Sequence, residues 1–161
     1  MTDQASAAPP LPLDARVSYL LSVLGTQSAR SFANRLAPLG IQPNHFGLLV
    51  HLAHEDGQSQ QQLANALGIH RNMMVGLIDE LEERGLVERS RHPDDRRAHA
   101  IRLTTTAREL LPRAHQLADQ QEAELLAGFG DDDRASLLAL LQRLASRGGG
   151  RPDVHPGMRH D

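Results

Sequence analysis

A mainly α-helical domain carrying one small β-hairpin is the fold class this sequence predicts, on three observations. Leucine and other apolar residues recur at three- and four-residue steps through most of the chain, the period of a helix with one buried face. Only residues 86–91 and 98–103 depart from that period, and they flank His92-Pro93-Asp94-Asp95-Arg96-Arg97, a run of turn-forming residues. Pro38, Gly40, Gly57, Gly68, Gly85 and Gly128 fall where one periodic stretch gives way to the next.

Each element follows from its residues. Residues 1–12, rich in alanine and proline, are expected to form a disordered tail. Leu13, Val17, Leu20, Leu21, Leu24, Ser28, Phe32 and Leu36 lie on one stripe of a first helix, which should stop near Pro38 because proline disfavours helix in the residue before it. Pro43 suits the first turn of a second helix running through Phe46, Leu49 and Val50 to about residue 55. Ser59 and Gln62 have the spacing of a capping box, predicting a short third helix over 60–67 that ends at Gly68. A fourth helix over 71–84 carries Met74, Leu77, Ile78 and Leu81, with Gly85 where a left-handed terminus is wanted. Two helices separated only by Gly68-Ile69-His70 have the spacing of a helix-turn-helix, and a hairpin directly after it makes a wing. Thr104 can cap a long helix to about residue 127, bent or weakened at Pro112. Asp131, Asp132 and Asp133 favour the positive end of a last helix bearing Leu137, Leu138, Leu141 and Leu144. The domain is thus expected over residues 13–147: a winged helix over about 42–104, long outer helices over about 13–38 and 104–147, and a flexible tail over 148–161.

Composition narrows the function. At 161 residues the chain is one domain, large enough for a core without covalent staples. It has no cysteine, which excludes disulfides, thiolate metal sites and thiol catalysis. Four aromatic residues (Tyr19, Phe32, Phe46, Phe129) are too few for a stacking platform on single strands. The net charge is −3, yet all 17 basic residues are arginine, and Arg84, Arg89, Arg91, Arg96, Arg97 and Arg102 crowd one segment against only Glu88, Asp94 and Asp95. A positive segment in an acidic chain points to a directed contact with an anion. Phosphate-loop, nucleophile-elbow and His-Glu-x-x-His motifs are missing, so no enzyme is expected. Without a basic, apolar leader or a run of about 18 apolar residues, the expected location is the cytoplasm.

The block formed by the capped short helix, the turn, the fourth helix and the arginine-bearing hairpin resembles the MarR family of bacterial winged helix-turn-helix transcriptional regulators. Ser59 to Leu86 match the family's helix-turn-helix. Leu81, Gly85, Leu86 and Val87 match its helix-to-wing junction, and Asp95, Arg96 and Arg97 through Leu103 and Thr104 match its wing. The likeness extends over about residues 13–147. It departs at Gly76 and Glu80, where many relatives carry basic or hydroxyl residues, so no operator sequence carries over.

A helix in the major groove presents its first turn to base edges, which makes His70, Arg71, Asn72 and Met73 the candidate readers. Arginine pairs bidentately with guanine, asparagine with adenine, and a methionine can touch a thymine methyl. Ser59, Gln60 and Gln61 at the start of the third helix are candidate phosphate ligands. The resemblance assigns Arg97 to a narrow minor groove, with Asp95 orienting it. Arg96, Arg89 and Arg91 are candidates for phosphates. The resemblance further implies a homodimer on palindromic double-stranded DNA, no cofactor, and release of a repressor by a small anionic aromatic ligand such as a phenolic or organic acid. Candidate liners for that ligand are Ser28, His45 and His51. Two alternatives stay open: a zinc-responsive regulator using His51 and His54 at i,i+3, and a winged helix that docks protein and binds no DNA.

Overall fold

The computed structural model describes residues 11–91 and 99–147. Both tails and the tip of the hairpin, with its candidates Asp95, Arg96 and Arg97, lie outside the described residues.

Among the described residues, six α-helices and three short strands follow one another: α1 (Val17–Leu36), α2 (Pro43–His54), β1 (Gln58–Ser59), α3 (Gln60–Leu67), α4 (Arg71–Glu83), β2 (Val87–Arg91), β3 (His99–Leu103), α5 (Thr105–Leu125) and α6 (Asp131–Arg147). One 3-10 turn over Leu13–Ala15 precedes α1 and another over Ala37–Leu39 follows it, so Pro38 is absorbed in a tightened last turn. Among the described residues, no helix is long and apolar enough to cross a membrane.

Local chemistry fixes the boundaries. Ser59 Oγ accepts from the Gln62 N–H at 3.2 Å, and the Ser59 N–H donates to Gln62 Oε1 at 2.8 Å, closing the capping box at the start of α3. At the end of α4, Gly85 takes φ 67°, which lets the Leu86 N–H reach the Leu81 carbonyl at 2.9 Å. Gly68 (φ 63°) does the same for α3, where the Ile69 N–H donates to the Ala64 carbonyl at 2.9 Å. Thr104 Oγ accepts from the Ala107 N–H at 3.2 Å, capping α5, and donates to the Gly85 carbonyl at 2.7 Å. One threonine therefore joins the end of the hairpin to the end of α4.

The hairpin belongs to a three-stranded antiparallel sheet in the order β1-β3-β2. Register places Val87 opposite Leu103 and Arg91 opposite His99, while Gln58 and Ser59 lie opposite Ile101 and Ala100. The strand β1 adds to the expected hairpin. Its two polar residues carry no periodicity, and the pairing partner lies about forty residues on. The core is filled by Leu48, Leu49 and Leu52 of α2, Leu63 of α3, Met74, Ile78 and Leu81 of α4, and Ile101 of β3, all fully buried. Leu36, Ala107, Leu111 and Ala114 dock α1 and α5 onto it. Asp56 ties the turn after α2 to both neighbours, accepting from the Leu103 N–H at 3.0 Å and from Arg108 at 2.7 Å. Pro112 sits on the exposed side of α5, which continues through it.

Candidate nucleic-acid interface

The helix-turn-helix positions its candidates unequally. Arg71 and Asn72 are exposed in the first turn of α4, as a reading role requires. His70 is the N-cap of that helix: its Nδ1 accepts from the Asn72 N–H at 3.3 Å, so the residue sets the helix start and presents only its other edge outward. Met73 is half-buried against the core and Met74 fully buried. One side of Met73 packs while the other stays at the surface.

At the start of α3, Ser59 Oγ is engaged in the cap. Helix geometry leaves the first-turn amides of Gln60 and Gln61 without an acceptor in their own helix, which makes these amides better candidate phosphate donors than the serine hydroxyl. The Gln61 side chain is turned along the helix, donating from Nε2 to Asn65 Oδ1 at 2.9 Å.

On the wing, Arg91 is exposed but Arg89 is not free. Its guanidinium forks onto two carboxylates of α4, donating to Asp79 Oδ1 and to Glu82 Oε2. Arg102, which entered the sequence argument only through its charge, is exposed on β3, where its Nε donates to Ser90 Oγ at 3.2 Å.

The three candidate ligand liners part company as well. Ser28 borders a groove of about 220 Å³ between α1 and α5, together with Leu24, Ser31, Arg35 and Gln121. Gln121 Nε2 donates to both the Ser28 carbonyl and its Oγ at 3.0 Å. Arg35 Nε and Gln121 Oε1 are buried there without a partner. His45 is fully buried and both ring nitrogens are engaged: Nδ1 accepts from the Gln42 N–H at 3.2 Å, and Nε2 meets Glu80 Oε2 at 2.9 Å. That pattern requires the Nε2–H tautomer and leaves no nitrogen for a ligand. Burial holds the His45 pKa below the usual histidine value, with Arg84 adding to the depression and Glu80 opposing it. The sequence offers His45 only as a candidate ligand liner; its partner is 35 residues away, so only the fold reveals the bond. His51 Nε2 pairs with Gln58 Oε1 at 3.1 Å, and His54 is exposed. Among the described residues, no cluster of three or more histidines and carboxylates is placed to hold a metal.

An exposed-tipped helix in a helix-turn-helix, backed by a three-stranded sheet that carries an arginine-bearing hairpin, defines a winged helix-turn-helix protein. The model of the MarR family matches residues 41–99. The chain is 34% identical over 116 residues to a putative transcriptional regulatory protein for the hcr operon of Thauera aromatica, an alignment spanning 71% of this chain and 70% of that one. It is also similar to the transcriptional repressor CouR bound to a 23-mer DNA duplex, at 35% identity and a TM-score of 0.75, over 85% of this chain and 99% of that one. CouR from Rhodococcus jostii RHA1 bound to p-coumaroyl-CoA matches at 31% identity and a TM-score of 0.72, over 84% and 96% of the two chains. The chain belongs to the MarR family of transcriptional regulators.

Proposed function

We propose that this protein is a homodimeric, sequence-specific repressor that reads an imperfect palindrome in double-stranded DNA and is released by a small phenolic or organic-acid effector. The observation that carries the proposal is the exposed pair Arg71 and Asn72 at the tip of α4, beside the first-turn amides of α3. Donors at the tip suit base edges, and helix-start amides suit phosphates. Arg97 takes the minor groove, oriented by Asp95, while Arg91 and Arg96 serve the backbone.

Dimerisation is supported by the outer helices. Val17, Leu20, Leu21 and Leu24 of α1 and Leu138, Leu140, Leu141 and Leu144 of α6 are all exposed in the single chain. Exposed apolar surface of this kind marks an association site, and two-fold pairing sets two reading helices about one DNA turn, ~34 Å, apart.

For the effector, the groove beside Ser28 offers the unpartnered Arg35 Nε and Gln121 Oε1 to a polar ligand. Its volume of about 220 Å³ falls short of the roughly 300–1,000 Å³ of a complete ligand cleft. On this reading the second copy closes it. Because CouR is seen with p-coumaroyl-CoA, the effector panel includes phenolic acids and their CoA thioesters.

A gel shift against a duplex that the protein selects from a randomised pool tests the reading. Affinity should fall steeply with added salt, and Arg97→Ala should weaken binding by at least ~tenfold. Unchanged affinity in that variant removes the wing assignment. Absence of duplex binding at low salt leaves the protein-docking alternative, and release by zinc but by no organic acid selects the metal-responsive one.

A further inference from the structure

The helix that carries the reading residues is divided by charge. Its first turn holds Arg71 and Asn72, whereas its last two turns hold Asp79, Glu80, Glu82 and Glu83. An acidic helix end beside a polyanion is repelled, and the repulsion acts as a torque on the helix unless that end is fastened. Three of these four acids are fastened. Glu80 meets the buried His45 of α2, and Asp79 and Glu82 share the two terminal nitrogens of Arg89 on β2. Arg84, just past the helix, donates to the Gly40 carbonyl in the turn before α2.

Resting on the reading of this chain as a DNA-binding regulator, we propose that Arg89 is a positioning residue: it clamps the acidic end of α4 to the wing and so aims Arg71 and Asn72. It is not a DNA contact. The side chain is built for that task. A guanidinium is a planar fork of fixed geometry, and carboxylates three residues apart lie on one helix face, so a single arginine bridges both. Its side chain is 22% exposed, whereas a phosphate ligand needs its donors facing outward.

The lever is long enough to matter. Eleven residues separate Arg71 from Glu82, which at helical rise is about 16 Å. A tilt of about 10° around the pinned end displaces the first turn by roughly 3 Å, a full hydrogen-bond length. Loosening the clamp therefore degrades base readout more than general attraction to DNA. It also releases two carboxylates next to the duplex.

A double-mutant cycle separates this role from a phosphate contact. The probes are the duplex selected by the wild-type protein and a random duplex of equal length. Arg89→Ala should lower affinity for the selected duplex at least ~tenfold and for the random one less than ~threefold. In the Asp79→Asn, Glu82→Gln background, the same change should alter either affinity by less than about twofold, because Arg89 then has nothing to hold. Equal losses in both backgrounds, or on both duplexes, overturn the proposal in favour of direct phosphate binding. Should Arg89→Ala fail to fold, Arg89→Lys decides. It keeps the charge but cannot fork, so selected-duplex affinity should drop about fivefold or more with random binding unchanged. A lysine variant equal to the wild type overturns the clamp. If the wild type binds no duplex, the regulator reading fails and this inference with it; binding with additive losses sinks the clamp alone.

Discussion

Between Ile41 and Ala114 the chain buries nearly all its large aliphatic side chains, with Leu48, Leu49, Leu52, Ile78 and Leu81 out of contact with solvent. In α1 before Leu36 and in α6 most residues of the same types stay exposed, Leu140 at 59% and Leu24 at 50%. Propensity does not separate the two regions: both are leucine-rich and both form helices. They differ in what lies opposite. The winged helix folds three helices and a sheet around one centre, whereas α6 buries none of its residues against the rest of the described chain. Domains require such layers, and the apolar face left on the outer helices is the one that the proposed dimer would cover.

The sharpest way to break that contrast is to cut a methyl-rich side chain from each region. Leu81→Ala removes a fully buried side chain packed under the α4 terminus and should cost about 2–5 kcal/mol in urea unfolding. Leu140→Ala should cost less than ~0.5 kcal/mol if α6 remains exposed. A larger cost, in a protein whose stability falls as it is diluted, is the signature of burial between copies. The next-largest effect is on assembly. Leu138→Glu with Leu141→Glu places two charges on the exposed face of α6 and should give a monomer by light scattering. Losing the second half-site should lower affinity for the selected duplex by about 100-fold or more. A stable dimer carrying both glutamates contradicts the layer argument.

The same contrast explains what could be read from the chain alone. Caps are local, so Ser59 with Gln62, Thr104, Gly68 and Gly85 announced the ends of α3, α4 and α5 within a residue or two. Periodicity announced which face of α4 is buried. Contacts between segments distant in sequence were hidden. The strand β1 consists of Gln58 and Ser59, polar residues that pair only because β3 arrives beside them. His45 looked like an available imidazole and is a neutral bridge between α2 and α4. Arg89 looked like an available cation and is held by Asp79 and Glu82. In each case a side chain's chemistry was legible and its partner was not. Candidate functional residues are thus more exposed to error than helix boundaries, because a site is made of partners.

Thr104 gives a smaller test, on the seam between the two regions. Its hydroxyl caps α5, the helix that leaves the winged core for the outer lobe, and donates to the Gly85 carbonyl. Thr104→Ala loses both bonds and should cost about 1 kcal/mol. Serine retains the hydroxyl and should recover most of it. Recovery by serine identifies the cap as the cause; failure to recover assigns the cost to lost packing of the threonine methyl.

The smallest effect is carried by one proton inside the winged core. Burial lowers the His45 pKa below its ordinary value of 6.5, against the opposing pull of Glu80 and with Arg84 nearby. The unfolded chain therefore binds that proton more tightly than the folded chain. Linkage then makes unfolding free energy rise with pH across the window just below 6.5, so the full contribution is present above that window and is lost on acidification. Protonation also puts a proton on Nδ1, which removes the acceptor that holds the Gln42 N–H and loosens the start of α2. His45→Gln should lower stability at pH 7.5 and flatten its decline toward pH 5.5, so that the two chains converge in acid. Parallel curves for wild type and variant assign the acid sensitivity to other groups.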